Sequence, residues 1–130
     1  MDQADTIWNR AALEGGGPTP GVGDEALAAA LRLHSSAMSG GVLDAVQHMS
    51  DEELDAAEGG YRWLHVPAAS EAIAAVRREI AAGALDDHDR ASALELSSED
   101  RYAAAIEDDA ALDNAFRARL GTDPDAFAAV

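Results

Sequence analysis

The sequence predicts an all-α protein, a compact single-domain bundle of about seven to eight short helices. Three observations carry this. Apolar residues recur at i, i+3, i+4 and i+7 along most of the chain. No stretch alternates apolar and polar residues as a half-buried strand does. Glycine, proline and serine punctuate the periodic segments where helices should end or begin.

The first helix is expected over Asp5–Leu13, with Ile7, Trp8 and Ala11 as its apolar side. Glu14–Gly23 holds three adjacent glycines together with Pro18 and Pro20, and reads as a flexible linker. Residues 1–23 are therefore expected to form an N-terminal helix and linker that packs loosely or on a neighbouring subunit. Residues 24–130 form the helical domain. From Asp24, the residues Leu27, Ala30, Leu31, His34, Ala37 and Met38 share one helix face, which Gly40-Gly41 ends. Val42, Leu43, Val46 and Met49 give a short helix. Ser50-Asp51-Glu52-Glu53 is a capping box for the next, which buries Leu54, Ala57, Tyr61 and Leu64 and has a weak point at Gly59-Gly60.

Val66-Pro67 interrupts the pattern, because the residue before proline is pushed out of the helical region. Ala69, Ile73, Val76 and Ile80 then mark a helix that stops before Gly83. Asp86–Leu96 reads as another helix. Ser97 or Ser98 caps a further one with Tyr102, Ala105 and Ile106. Leu112, Phe116 and Leu120 stack on the next, up to Gly121, and Pro124 opens a last turn before Phe127. Alanine fills many interior positions and buries little area, at about 25 cal/mol per Å2. Trp8, Tyr61, Trp63, Tyr102, Phe116 and Phe127 are the expected anchors. Trp63 lies at the edge of its face, as a core-rim residue or as a partner contact.

The chain has no cysteine, so disulfides, thiolate chemistry and cysteine zinc sites are excluded. It opens without the basic and apolar regions of a signal peptide and has no apolar run of about 20 residues, so a cytoplasmic protein is expected. All nine basic residues are arginine, which fits the composition of a GC-rich bacterial genome. Against 25 acidic residues they leave a net charge of −16. Direct nucleic-acid binding and adhesion to an anionic membrane are both excluded on that ground.

Candidate chemistry is sparse. His34, His48, His65 and His88 form no i+3 or i+4 pair, and no HExxH occurs. His34, inside an apolar stripe, reads as a core or interface histidine. Asp86-Asp87-His88-Asp89 lacks the glycine and spacing of a calcium loop and reads as a solvated acidic loop. A small enzyme or metal protein built on Asp86–Asp89 and His65 is the third-ranked alternative. No nucleophile elbow, P-loop or dinucleotide fingerprint is present. No catalytic residue, metal ligand or cofactor is expected.

The charge pattern says more. Between Leu33 and Tyr61 there is no arginine, but that interval holds Asp44, Asp51, Glu52, Glu53, Asp55 and Glu58. A second belt, from Asp86 to Asp125, includes Glu99, Asp100, Glu107, Asp108, Asp109 and Asp113 with four arginines. Uncompensated charge repels itself and costs stability. Lineage-wide acidity and solubility are one explanation; a clamp for a basic surface is the other. A globule of this length is about 36 Å across. Duplex DNA of that length carries about 21 phosphates, a charge of the same order as −16. The residues expected to meet a basic partner are Asp44, Asp51, Glu52, Asp55 and Glu58 in one belt, and Glu99, Asp100, Glu107, Asp108 and Asp109 in the other.

Ser39-Gly40-Gly41, the helical segment through Tyr61 and Leu64, the alanine-rich Ala69–Val76, Asp100-Arg101-Tyr102, Leu112, Phe116, Pro124 and Phe127 together carry a resemblance. Over about Leu27–Phe127 the chain resembles the DNA mimic protein nineteen-like family of small acidic bacterial helical proteins. It departs from that family's usual aromatic residues and glutamine at Val42-Leu43-Asp44-Ala45. The resemblance implies an all-helical homodimer without cofactor or catalysis. It also implies a non-enzymatic binding protein that covers the DNA-binding face of a transcription regulator; the charge pattern admits a DNA-binding regulator or a nuclease as the basic partner. The alternative it leaves open is an immunity protein against a cognate toxin.

Overall fold

Side-chain caps and prolines set most helix starts in the computed structural model, which describes residues 2–130. Asp2 caps α1 (Gln3–Glu14) in a reciprocal box with Asp5. α2 (Val22–Gly40) and α3 (Val42–His48) meet at Gly41. Ser50 caps α4 (Asp51–Trp63) through the box expected from the sequence. The Glu53 amide donates to Ser50 Oγ at 3.1 Å, and the Ser50 amide donates to the Glu53 carboxylate at 3.0 Å. That amide bond holds the Glu53 carboxyl below its ordinary pKa. Pro67 opens α5 (Pro67–Ala81), Asp87 caps α6 (His88–Ala105) and Asp108 caps α7 (Asp109–Thr122). Short 3-10 turns lie at Ala84–Asp86 and Pro124–Ala126. Among the described residues there is no strand, and no helix is long and apolar enough to cross a membrane.

α2 is the central helix. It packs on α1, α3 and α4; α5 lies between α4 and α6, and α6 returns to α3. The six aromatic residues serve as the expected anchors, in two groups. Trp8, Phe116, Phe127 and Trp63 form a file with ring centroids 5.6–5.9 Å apart, which fixes α7 and the C-terminal tail to α1 and α4. Trp63 is thus a core-rim residue, with the Arg119 guanidinium 4.1 Å above its ring. Tyr61 and Tyr102 form the second group, edge to face.

The α2–α4 crossing depends on a glycine. The position a Cβ would take on Gly60 is already filled by the backbone carbonyl of Ala26. Gly60→Ala is expected to force the two helices apart and to cost about 1–3 kcal/mol in urea unfolding. The neighbouring Gly59 has no such obstacle, so Gly59→Ala should be neutral or slightly stabilising. Equal effects at the two sites would refute the close crossing. Gly60 is therefore a packing device, and α4 runs through Gly59-Gly60 unbroken.

Four expectations change. Residues 1–23 do not stand apart: Ile7 is fully buried in the common core, α1 packs on α2, and α2 begins at Val22. Gly15, Gly16 and Gly17 all have positive φ and close a tight reversal between the two helices. The two helices expected over residues 86–106 are one helix, α6, so the described residues form seven α-helices. Ser97 and Ser98 do not cap; their hydroxyls donate to the carbonyls of Leu94 and Glu95, inside the helix. α7 runs past Gly121 to Thr122, because the backbone there remains helical.

Candidate protein-binding surface

The ten acidic residues singled out above separate into two environments. On α4, Asp51, Asp55 and Glu58 lie one turn apart and converge on a single cation, Arg77 of α5. Its guanidinium donates to Glu58 at 2.6 Å, to Asp55 at 2.7 Å and to Asp51 at 3.4 Å. The bonds to Asp55 and Glu58 raise the Arg77 pKa above its ordinary value. This belt, free of arginine in sequence, is therefore partly neutralised in space. Glu52 is exposed and makes no ion pair among the described residues.

The other residues gather along the last two turns of α2. Glu99 of α6 accepts from the Val42 amide and lies against Gly41. The Asp44 carboxylate lies against Gly40 and pairs with His48 at 3.1 Å. Seven residues earlier on α2, about 10 Å along the axis, His34 Nε2 donates to Asp109 at 2.6 Å. Asp108 accepts from the Ala111 amide at 2.9 Å as the cap of α7. Asp100 and Glu107 are exposed. Asp44, Glu99 and Asp109 thus follow one end of α2, with Asp100, Glu107 and Asp108 as their neighbours in the chain, and none of the six is paired with an arginine among the described residues.

A buried polar chain runs inward from this ridge. The His34 ring is buried and its Nδ1 lies 2.8 Å from the Tyr102 hydroxyl, which lies 2.6 Å from the Tyr61 hydroxyl. The Tyr61 hydroxyl is also 3.3 Å from the Ala30 carbonyl. Burial raises both tyrosine pKa values, that of Tyr102 to about 12. Two proton arrangements satisfy the chain. With His34 neutral, Tyr61 donates to Tyr102, Tyr102 donates to Nδ1, and the Nε2 proton goes to Asp109. With His34 protonated, both ring nitrogens donate, Tyr102 donates to Tyr61, and Tyr61 donates to Ala30. The tyrosine hydroxyls are fully enclosed, so this chain positions Asp109 and offers no nucleophile to a substrate.

Sequence reasoning placed His34 correctly as a core histidine but missed Tyr102, Tyr61 and Arg77 as polar partners. The apolar stripe around His34 was the only signal, and its partners lie 68 and 75 residues away. Of the residues of the metal alternative, Asp87 accepts from the Asp89 amide as the cap of α6. Among the described residues, no group of three or more His, Asp and Glu side chains could hold a metal ion. Comparison with known proteins finds no matching family model, no similar curated protein and no similar solved structure.

Proposed function

We propose that the protein is a non-enzymatic acidic binding module that captures a basic protein, a DNA-binding regulator or nuclease, by presenting carboxylates where DNA presents phosphates. The observation that supports this reading is the arginine-free ridge at the end of α2. The carboxylates of Asp44, Glu99 and Asp109 accompany about 10 Å of helix axis, and those of Asp100, Glu107 and Asp108 adjoin them in the chain. Duplex DNA carries about six phosphates over that length. Several are fixed by the fold, through the Val42 amide, the Ala111 amide and His34, so little ordering cost remains for association. A partner's arginines would meet them in charge-assisted and bidentate bonds, with fast, salt-sensitive association. The family resemblance points to the same class of partner.

The test is retention of a basic partner from extract of the native host on the immobilised protein. Retention is expected at low salt and release at high salt. Asp44→Lys/Asp100→Lys/Glu107→Lys should weaken retention at least about tenfold, since each reversal juxtaposes like charges. Asp51→Lys/Asp55→Lys should weaken it less, because Arg77 already neutralises that belt. Retention that ignores both salt and the triple reversal would overturn the reading.

A further inference from the structure

The cleft between α5 and α6 has a charge opposite to that of the whole molecule. It encloses about 540 Å3, and Arg78, Arg90 and Arg101 line it above a floor that includes Val76 and Leu94. Among the nine arginines of this acidic chain, Arg10, Arg62, Arg77, Arg117 and Arg119 all hold a carboxylate. The three in the cleft make no ion pair among the described residues, although Glu79 is also part of its wall. Their one hydrogen bond is a 3.4 Å donation from Arg90 to the Ala82 carbonyl. With 25 carboxylates available, pairing is the expected fate of an arginine. Arg78 and Arg90, two like charges at one end of the cleft, repel each other unless an anion shares them.

Geometry narrows the anion. Arg90 reaches Ala82, whose amide bonds the Arg78 carbonyl, so Arg78 and Arg90 lie at the same end of the cleft. Arg101 is three turns further along α6, about 16 Å from Arg90 along the axis. Extended arginine side chains that start about 16 Å apart can meet on two adjoining phosphoryl groups, which fit this spacing better than one, and the apolar floor suits an organic ring. A long polyanion does not fit, because it would leave the cleft for the acidic surface, and local attraction fades over about 8 Å at physiological salt.

We propose that the α5–α6 cleft binds a small organic diphosphate, with Arg78 and Arg90 on one phosphoryl group and Arg101 on the other. This inference does not depend on the capture of a basic protein. The experiment is calorimetric titration of the full chain with ADP, inorganic pyrophosphate and orthophosphate at constant ionic strength. ADP and pyrophosphate should saturate one site per chain, with orthophosphate much weaker. Arg90→Gln and Arg101→Gln should each weaken ADP about tenfold through loss of a charge-assisted bond. Both side chains are exposed, so the variants should keep the parent melting temperature. Arg32→Gln, an exposed arginine outside the cleft, should change nothing. No saturation by millimolar ADP, equal weakening by Arg32→Gln, or tighter binding of a single-stranded oligonucleotide than of ADP would each overturn the proposal.

Discussion

Asp24→Ala is expected to remove about 3–5 kcal/mol of stability, because it leaves the partly buried Arg10 without its counter-charge and two backbone amides without their acceptor. Asp24 is completely enclosed. One carboxylate oxygen accepts from Arg10 of α1 at 2.8 Å. The other accepts from the Gly21 amide at 2.9 Å and the Ala128 amide at 2.6 Å. Arg10 in turn donates to the carbonyls of Ala128 and Ala129. One carboxylate therefore joins α1, the start of α2 and the C-terminal tail. Its removal orphans the guanidinium and two backbone amides together. The double variant Arg10→Met/Asp24→Ala should recover part of the loss, since an apolar pair leaves no buried charge. Urea unfolding of the two variants measures both values. A double variant no more stable than Asp24→Ala would show that the orphaned charge is not the cause.

The same residue shows what a linear reading can reach. Asp24 was legible as belonging to a helix start, because a carboxylate in the first turn is favoured there. Its partners were not, since Arg10 and Ala128 come from opposite ends of the chain. Local devices were readable: the Ser50 box, Pro67, and the apolar faces of α2 and α5. Glycine was ambiguous. Gly59-Gly60 looked like a weak point, but Gly60 provides a close helix crossing, and only the facing backbone distinguishes the two. Serine misled in α6, because a hydroxyl can cap a helix or bond back within it. For the acidic surface, the sequence showed the surplus but not its distribution. Arg77 crosses from α5 to neutralise α4, and the uncompensated ridge is assembled from α3, α6 and the start of α7 around α2.

Tyr102→Phe should cost about 2–4 kcal/mol, although it removes one oxygen and keeps the ring. That hydroxyl is the shared member of two buried bonds, and each orphaned buried group costs about 1–3 kcal/mol. His34 Nδ1 loses its partner, and the Tyr61 hydroxyl keeps only the Ala30 carbonyl. Tyr61→Phe should cost less, because Tyr102 can still donate to His34. The alkaline limb gives an independent check. An unfolded tyrosine ionises near pH 10, whereas burial holds Tyr102 to about 12. The unfolded chain releases its proton first, so stability present below about pH 10 is lost as pH rises towards about 12. Tyr102→Phe should lower the urea midpoint at neutral pH yet lose less of it between about pH 10 and 12. Unchanged neutral stability, or tyrosinate absorbance appearing at its ordinary pH in the folded parent, would contradict a closed hydroxyl chain. The consequence extends to the surface, because the chain ends on Asp109 through a 2.6 Å bond from His34. One carboxylate of the ridge is therefore held by hydroxyls in the core, and a substitution that changes no charge should still alter how the ridge meets a cation.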